Sequence, residues 1–448
     1  IYLGVEPVVR KADGSFAVGG EGEVVEHAVV MRRLPKGATL QEHLDAGTLD
    51  EAMIREAAEA LADFHAKCRL EPQDAGLAMP GAFGGVVRQN FLATKNAIGE
   101  LFPRSVHEGL SRRIAARLFA TRELVRERVA EGKMVDGHGD VRLEHVVRDG
   151  DTTSIFDCIE FSDWIRHVDP LCDMAFLSMD LTEQGRPDLA RVLEQRYIQR
   201  LRERPEEVAA LLPLYLSYRA HVRAKVDDMT YRSPEVDAKV REAKALGARR
   251  FLALAWTYAR DGETPPLILM RGLSGSGKSR LAHRIAPWLG ADVISSDRVR
   301  KELAGIDATE RVDESGKEKL YSSAMGEKTY ALMLERGLDA IRAGHGAILD
   351  ATFLSAASRR EAIRAARSLG APVAILDVVC DDAVVRQRLE ARVAANQDPS
   401  DADVAVYEAQ KADAESHSDA EEAITARHDC DVAPELTVMT LLERLELG

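Results

Sequence analysis

A chain of 448 residues, 46% hydrophobic and 30% charged, is too long for one ordinary domain and has apolar material for two or three cores. Its net charge of −14 excludes sequence-independent binding of DNA or RNA over a broad surface, which needs phosphate-neutralising Lys and Arg, and leaves room only for a local basic groove. No apolar run approaches the roughly 18 residues of a membrane span and no signal peptide precedes Ile1, so a cytoplasmic protein with five scattered, reduced cysteines is expected.

Low aromatic content with abundant Ala, Arg, Glu and Leu points to a helix-rich protein. Residues 1–35 read as short strands and turns, and helical periodicity follows from Thr48 to about Arg69. A single amphipathic helix is expected over 111–133, stopped by Gly132. Residues 134–161 read as strands and polar loops, and 188–260 as helical again. "RDGETPP" (260–266) marks a boundary, beyond which strand candidates at 266–270, 291–297, 346–352 and 372–379 alternate with helices, the pattern of a parallel sheet with crossover helices.

The first of those strands runs into Gly272-Leu273-Ser274-Gly275-Ser276-Gly277-Lys278-Ser279, which fits GxxxxGK followed by Ser or Thr at every defined position. Glycines let the backbone wrap a phosphate, with amides and a helix N-terminus aimed at it. Lys278 then reaches the outer phosphate oxygens of ATP and Ser279 holds Mg²⁺. "VISSDRVRKEL" places Asp297 and Arg300 at the end of the second strand, the edge that opens on the ligand crevice of a doubly wound sheet. A carboxylate there can accept the proton of an acceptor hydroxyl, and the arginine can clamp an anionic acceptor; the alternative is helix capping by Ser296 or Asp297. Asp350, ending the third strand, is a Mg²⁺-orienting candidate or else a turn carboxylate. Arg388 and Arg392, one helical turn apart with Arg386 nearby, are candidates for nucleotide contact or else a solvated face. No run of four apolar residues followed by two adjacent acids occurs in the roughly 170 residues after the loop, which argues for a kinase over a motor.

These motifs, with "LDATFLSAASR" after the third strand, resemble the small P-loop kinases grouped with polynucleotide kinases, zeta toxins and gluconate kinase, within the AAA-like P-loop proteins. The resemblance covers residues 265–448. It implies that Asp297 acts on the acceptor hydroxyl, that Arg300 binds acceptor phosphate and that the lid arginines contact ATP.

A second constellation lies in "DGHGDVRLEHVVRDGDTTSIFDCIEF" (136–161), where His-Gly-Asp140, His145 and Asp157 suggest a catalytic loop. It resembles the aminoglycoside and choline kinase group of phosphotransferases, relatives of protein kinases. By that resemblance Asp140 matches the catalytic base, Asp157 the Mg²⁺-binding aspartate, and Asp173 of "HVDPLCDMAFL" a residue that buttresses the loop. His145 stands where the family usually has Asn, and imidazole is a softer donor than Mg²⁺ prefers. "EHAVVMRRLP" resembles the hinge between kinase lobes. The family's glycine-rich strands and ATP-binding lysine lie upstream of it, so the resemblance implies an incomplete nucleotide-binding lobe.

The expectation is therefore an α/β protein: an α-rich kinase-like domain over 1–260, a linker at 261–266 and a three-layer P-loop domain with a parallel sheet over 267–448. Its expected activity is ATP- and Mg²⁺-dependent phosphoryl transfer to a small-molecule acceptor by the C-terminal site. The alternatives are an ATP-binding regulatory module with the N-terminal half as scaffold, or a polynucleotide kinase, which the acidic balance disfavours.

Overall fold

The computed structural model describes residues 1–150, 152–307, 320, 322–395 and 404–447, without the side chains of 392–395. The chain forms two compact units, one of Ile1–Ala78, Arg128–Leu181 and Asp188–Pro205, the other of Met79–Glu127, Thr182–Pro187 and Glu206–Gly448. Helices Pro80–Ala93, Arg104–Ala120 and Ala238–Ala259, which lie before the Gly/Pro-rich 260–266 stretch, thus share a unit with everything after it.

The first unit opens with strands β1 (Tyr2–Arg10), β2 (Phe16–Val18) and β3 (Glu23–Met31), an antiparallel sheet in the order β2-β1-β3. Asp50 caps the helix Glu51–Lys67, accepting the Met53 amide at 3.0 Å, and Ile54, Ala58, Leu61 and Ala62 recur on its buried face. Two small antiparallel pairs frame the polar loop: β4 (Val135–Asp136) with β7 (His167–Val168), and the hairpin of β5 (Val146–Asp149) with β6 (Thr152–Ile155). Behind them helix Pro170–Glu183 is buried from Pro170 to Leu181. Its start is fixed by Asp169, which receives Arg128 Nε at 2.6 Å, while Glu203 receives Arg128 Nη1 at 2.7 Å. Two carboxylates therefore satisfy one fully buried guanidinium.

In the second unit β8 (Leu267–Arg271), β9 (Ala291–Ser295), β10 (Gly346–Asp350), β11 (Val373–Val379) and β12 (Thr425–Asp429) form a parallel sheet in the order β12-β11-β8-β10-β9. β8 and β10 are buried along almost their whole length, as central parallel strands covered on both faces must be. β12 was not among the expected strands: it sits at an edge, and its sequence TARHD carries no apolar run.

The helix expected over 111–133 is two, Arg104–Ala120 and Arg122–Ala130. Thr121 separates them, its hydroxyl donating to the Arg117 carbonyl at 2.8 Å, a back-bond that bends helices. Arg104–Ala120 and Ala238–Ala259 both reach the last helix, Pro434–Leu447. Arg113 Nη1 lies 2.8 Å from both Glu446 carboxylate oxygens, and Trp256 Nε1 donates to Glu446 Oε2 at 2.8 Å. Replacing Glu446 by Ala strands the Trp256 indole N–H and leaves the Arg113 guanidinium with Glu263 alone. We expect Glu446→Ala to lower stability by about 3 kcal/mol in urea titrations, against about 0.5 kcal/mol for loss of an exposed pair such as Asp339–Arg342. Among the described residues no helix is long and apolar enough to cross a membrane.

Candidate active sites

The loop after β8 folds as its glycines dictate. Gly272 has φ of +143°, and a Cβ there would stand 2.4 Å from the Val378 carbonyl oxygen. Gly277, at φ +101°, is the N-cap of helix Lys278–Leu289 and sends the first amides of that helix toward the loop. We expect Gly272→Ala to displace the loop at a cost of about 2 kcal/mol, read as ATP binding weakened at least about tenfold with the fold retained.

Lys278 is nearly buried and its ammonium donates to the Leu273 carbonyl at 2.8 Å. The Ser274 amide donates to Gln410 Oε1 at 2.9 Å, from helix Val404–Asp413. These are groups that phosphate oxygens would engage, so the loop is internally satisfied by contacts a nucleotide can replace. Arg388 lies on helix Asp382–Ala395, with Nη1 3.4 Å from the Ser276 carbonyl and 3.5 Å from Cys380 Sγ. Arg386 turns instead to Glu408 at 2.6 Å, and the Arg392 side chain lies outside the described residues.

Sheet register brings the candidate carboxylates to the same edge. Asp350 ends β10 paired with Met270 on one side and Ser295 on the other. Burial pushes the Asp350 carboxyl up from its ordinary value; a hydrogen bond from Ser279 and the charge of Lys278 oppose this, and the charge of Asp297 adds to it. Ser279 is thus hydrogen-bonded to Asp350, and the charges of Lys278 and Asp297 act on that carboxyl. Ser295 is the N-cap of helix Ser296–Leu303 and makes no side-chain capping bond, while Asp297 sits in the first turn. Neither Ser296 nor Asp297 caps the helix. Arg300 Nη1 donates to Asp297 Oδ1 at 2.9 Å, with Arg300 mostly buried. The loop after β10 is held by Arg359, fully buried, which donates to the Phe353 and Leu354 carbonyls at 3.0 and 2.9 Å and to Glu421 at 2.8 Å.

The cysteine expectation needs correction. Cys380 and Cys430 are joined in a disulfide, with Cα atoms 5.2 Å apart, while Cys68, Cys158 and Cys172 are free. The pairing follows from register: Val379 of β11 lies opposite Asp429 of β12, so the residues leaving the two strands meet.

In the first unit, Asp173 is fully buried and accepts the His138 amide at 2.6 Å and the Gly139 amide at 2.9 Å. His65 bridges it (3.1 Å) to the Tyr197 hydroxyl (2.6 Å). Asp180 accepts the Leu143 amide at 2.9 Å. The loop carrying Asp140 is therefore clamped at both ends by carboxylates of one helix. Asp140 Oδ2 receives Arg142 Nε at 3.4 Å. Burial holds His138 below its ordinary pKa; Nε2 donates to the Phe156 carbonyl at 2.7 Å and Nδ1 faces the Asp140 amide. Asp157 takes the left-handed conformation (φ +64°), and its amide donates to the Tyr2 hydroxyl at 2.8 Å. His145 and Asp157 come within 3.7 Å of each other.

Gln410, Arg142, Asp180 and Arg359 were not given roles from sequence. Arg142 and Arg359 fall inside the two family-like motifs; the other two carry no local signal.

Two family models match the chain. Residues 16–210 match the phosphotransferase enzyme family and residues 267–417 match an AAA domain family. Among solved structures, a gluconokinase from Sinorhizobium meliloti is 20% identical with a TM-score of 0.29, covering 41% of this chain and 92% of its own. A glucosamine kinase is 13% identical with a TM-score of 0.32, covering 52% and 61%. The uncharacterized proteins Rv2004c of Mycobacterium tuberculosis and Mb2027c of Mycobacterium bovis are each 31% identical over 420 residues, covering 92% of this chain and 79% of theirs. The chain belongs to the family of these two proteins, a phosphotransferase-family domain fused to a P-loop kinase-type domain, and is an ATP-dependent kinase.

Proposed function

We propose that the C-terminal P-loop site moves the γ-phosphoryl group of ATP to a hydroxyl of a small-molecule acceptor. The observation that carries this is the Ser279–Asp350 hydrogen bond beside the loop that holds Lys278, with Asp350 in register with Ser295, two residues before Asp297. Kinase families of this kind use ATP with Mg²⁺, and the Ser279 hydroxyl with the Asp350 carboxylate is an all-oxygen donor set that suits that hard cation. When bound, Mg²⁺ neutralises charge on the β- and γ-phosphate oxygens.

The chain's own groups do the rest. Loop amides and the Lys278 ammonium hold the phosphates, with Lys278 leaving the Leu273 carbonyl for the phosphate oxygens. Asp297 accepts the acceptor's hydroxyl proton as the oxygen attacks phosphorus. Arg300, already at 2.9 Å from Asp297, orients that carboxylate, and its positive charge suits an anionic acceptor. Arg388, reaching the loop at Ser276, is placed to meet charge on the nucleotide.

The test is transfer of label from γ-³²P-ATP to pooled sugars, sugar acids, nucleosides and aminoglycosides, with an oligonucleotide run separately. The expected result is a labelled small molecule that disappears with Asp297→Asn. Tight ATP binding with no labelled product would favour the regulatory-module reading, and label on the oligonucleotide alone would favour a polynucleotide kinase.

A further inference from the structure

The N-terminal constellation fits Mg²⁺ poorly, and the misfit is specific. His145 Nδ1 lies 2.6 Å from the Asp140 carbonyl oxygen. A carbonyl only accepts, so Nδ1 carries the hydrogen and the neutral ring presents its lone pair at Nε2. An imidazole whose other nitrogen is held by a backbone carbonyl is the arrangement seen behind metal-ligating histidines.

Nε2 faces Asp157 Oδ2 at 3.7 Å. That separation is too long for a hydrogen bond, yet two ligands each about 2.1 Å from one cation stand roughly 3–4 Å apart. The histidine cannot easily turn away: its side chain is about nine-tenths buried, its ring centroid is 5.8 Å from that of His138 in a stacked pair and 6.1 Å from that of Phe156 edge-on. Asp157 is open to solvent, so a cation has a route in. Glu144 also lies 3.8 Å from Nε2 but is engaged by Arg142.

We propose that His145 Nε2 and Asp157 form a mixed nitrogen–oxygen site that selects a first-row transition-metal dication, such as Mn²⁺, over Mg²⁺. Imidazole binds the transition dications more tightly than it binds Mg²⁺, which prefers oxygen donors. The chain then has two cation sites of different class, since Ser279 and Asp350 supply oxygen alone. This does not depend on which site transfers phosphate.

The test uses the full chain and Mn²⁺ alone as probe. Free Mn²⁺ is followed by EPR while Mg²⁺ is added, and bound Mn²⁺ is examined by electron spin-echo modulation for coupling to imidazole nitrogen. We expect one Mn²⁺ to survive about a hundredfold excess of Mg²⁺ and to show nitrogen modulation. His145→Asn should lose the modulation and shift selectivity at least about tenfold toward Mg²⁺, and Asp157→Asn should lose the site. Asp350→Asn should leave the modulated signal in place. Absence of nitrogen modulation in the unsubstituted protein overturns the proposal whatever the variants do. So does unchanged selectivity in His145→Asn, or loss of the modulated signal in Asp350→Asn.

Discussion

Lys278→Ala is expected to cut acceptor-dependent turnover by about 10²–10³-fold, with ATP binding weakened as well. The ammonium is held where loop amides, Ser279 and Asp350 converge, and no other described lysine contacts the loop backbone. In that nearly dry setting a fixed positive charge acts on the developing phosphoryl charge far more strongly than it would in water. The same substitution removes one hydrogen bond, about 1 kcal/mol, and leaves the Leu273 carbonyl with the Ser276 amide as donor, so the fold should survive. Steady-state ADP release, with thermal unfolding as control, checks both statements. Turnover within threefold of the unsubstituted protein would remove Lys278 from the mechanism.

Asp297→Asn should behave differently. It removes the proton acceptor and leaves the loop and the Ser279–Asp350 pair untouched, so kcat should fall by about 10²–10⁴-fold with ATP affinity unchanged. The amide can still accept from Arg300, which keeps the helix Ser296–Leu303 in place. Binding by calorimetry alongside single-turnover transfer separates the outcomes. Loss of ATP binding would make Asp297 a structural or metal-binding residue.

The P-loop was legible in sequence because its motif encodes backbone geometry: Gly272 and Gly277 stand where a side chain would collide or the left-handed region is needed. Asp350 was legible because an apolar run ends at it, and Asp297 because it follows two residues after Ser295, the end of β9, which parallel register pairs with Asp350. Gln410 was not, since a polar residue on a half-exposed helix looks the same whether or not it reaches a loop amide. The Cys380–Cys430 link depends on the pairing of β11 with an edge strand that lacks an apolar signature, so 50 residues of separation hid it. The division into units was equally opaque. Glycine and prolines at 260–266 mark a turn truly enough, yet Glu446 draws Arg113 and Trp256 to the last helix across that turn.

We assign the phosphoryl transfer to the P-loop site. The most direct test of that assignment is acceptor-stimulated ADP release by three proteins measured side by side: the unsubstituted chain, Lys278→Ala and Asp140→Asn. Stimulation should disappear with Lys278→Ala and persist with Asp140→Asn. Persistence in Lys278→Ala with loss in Asp140→Asn would contradict the assignment and move the reaction to the N-terminal site.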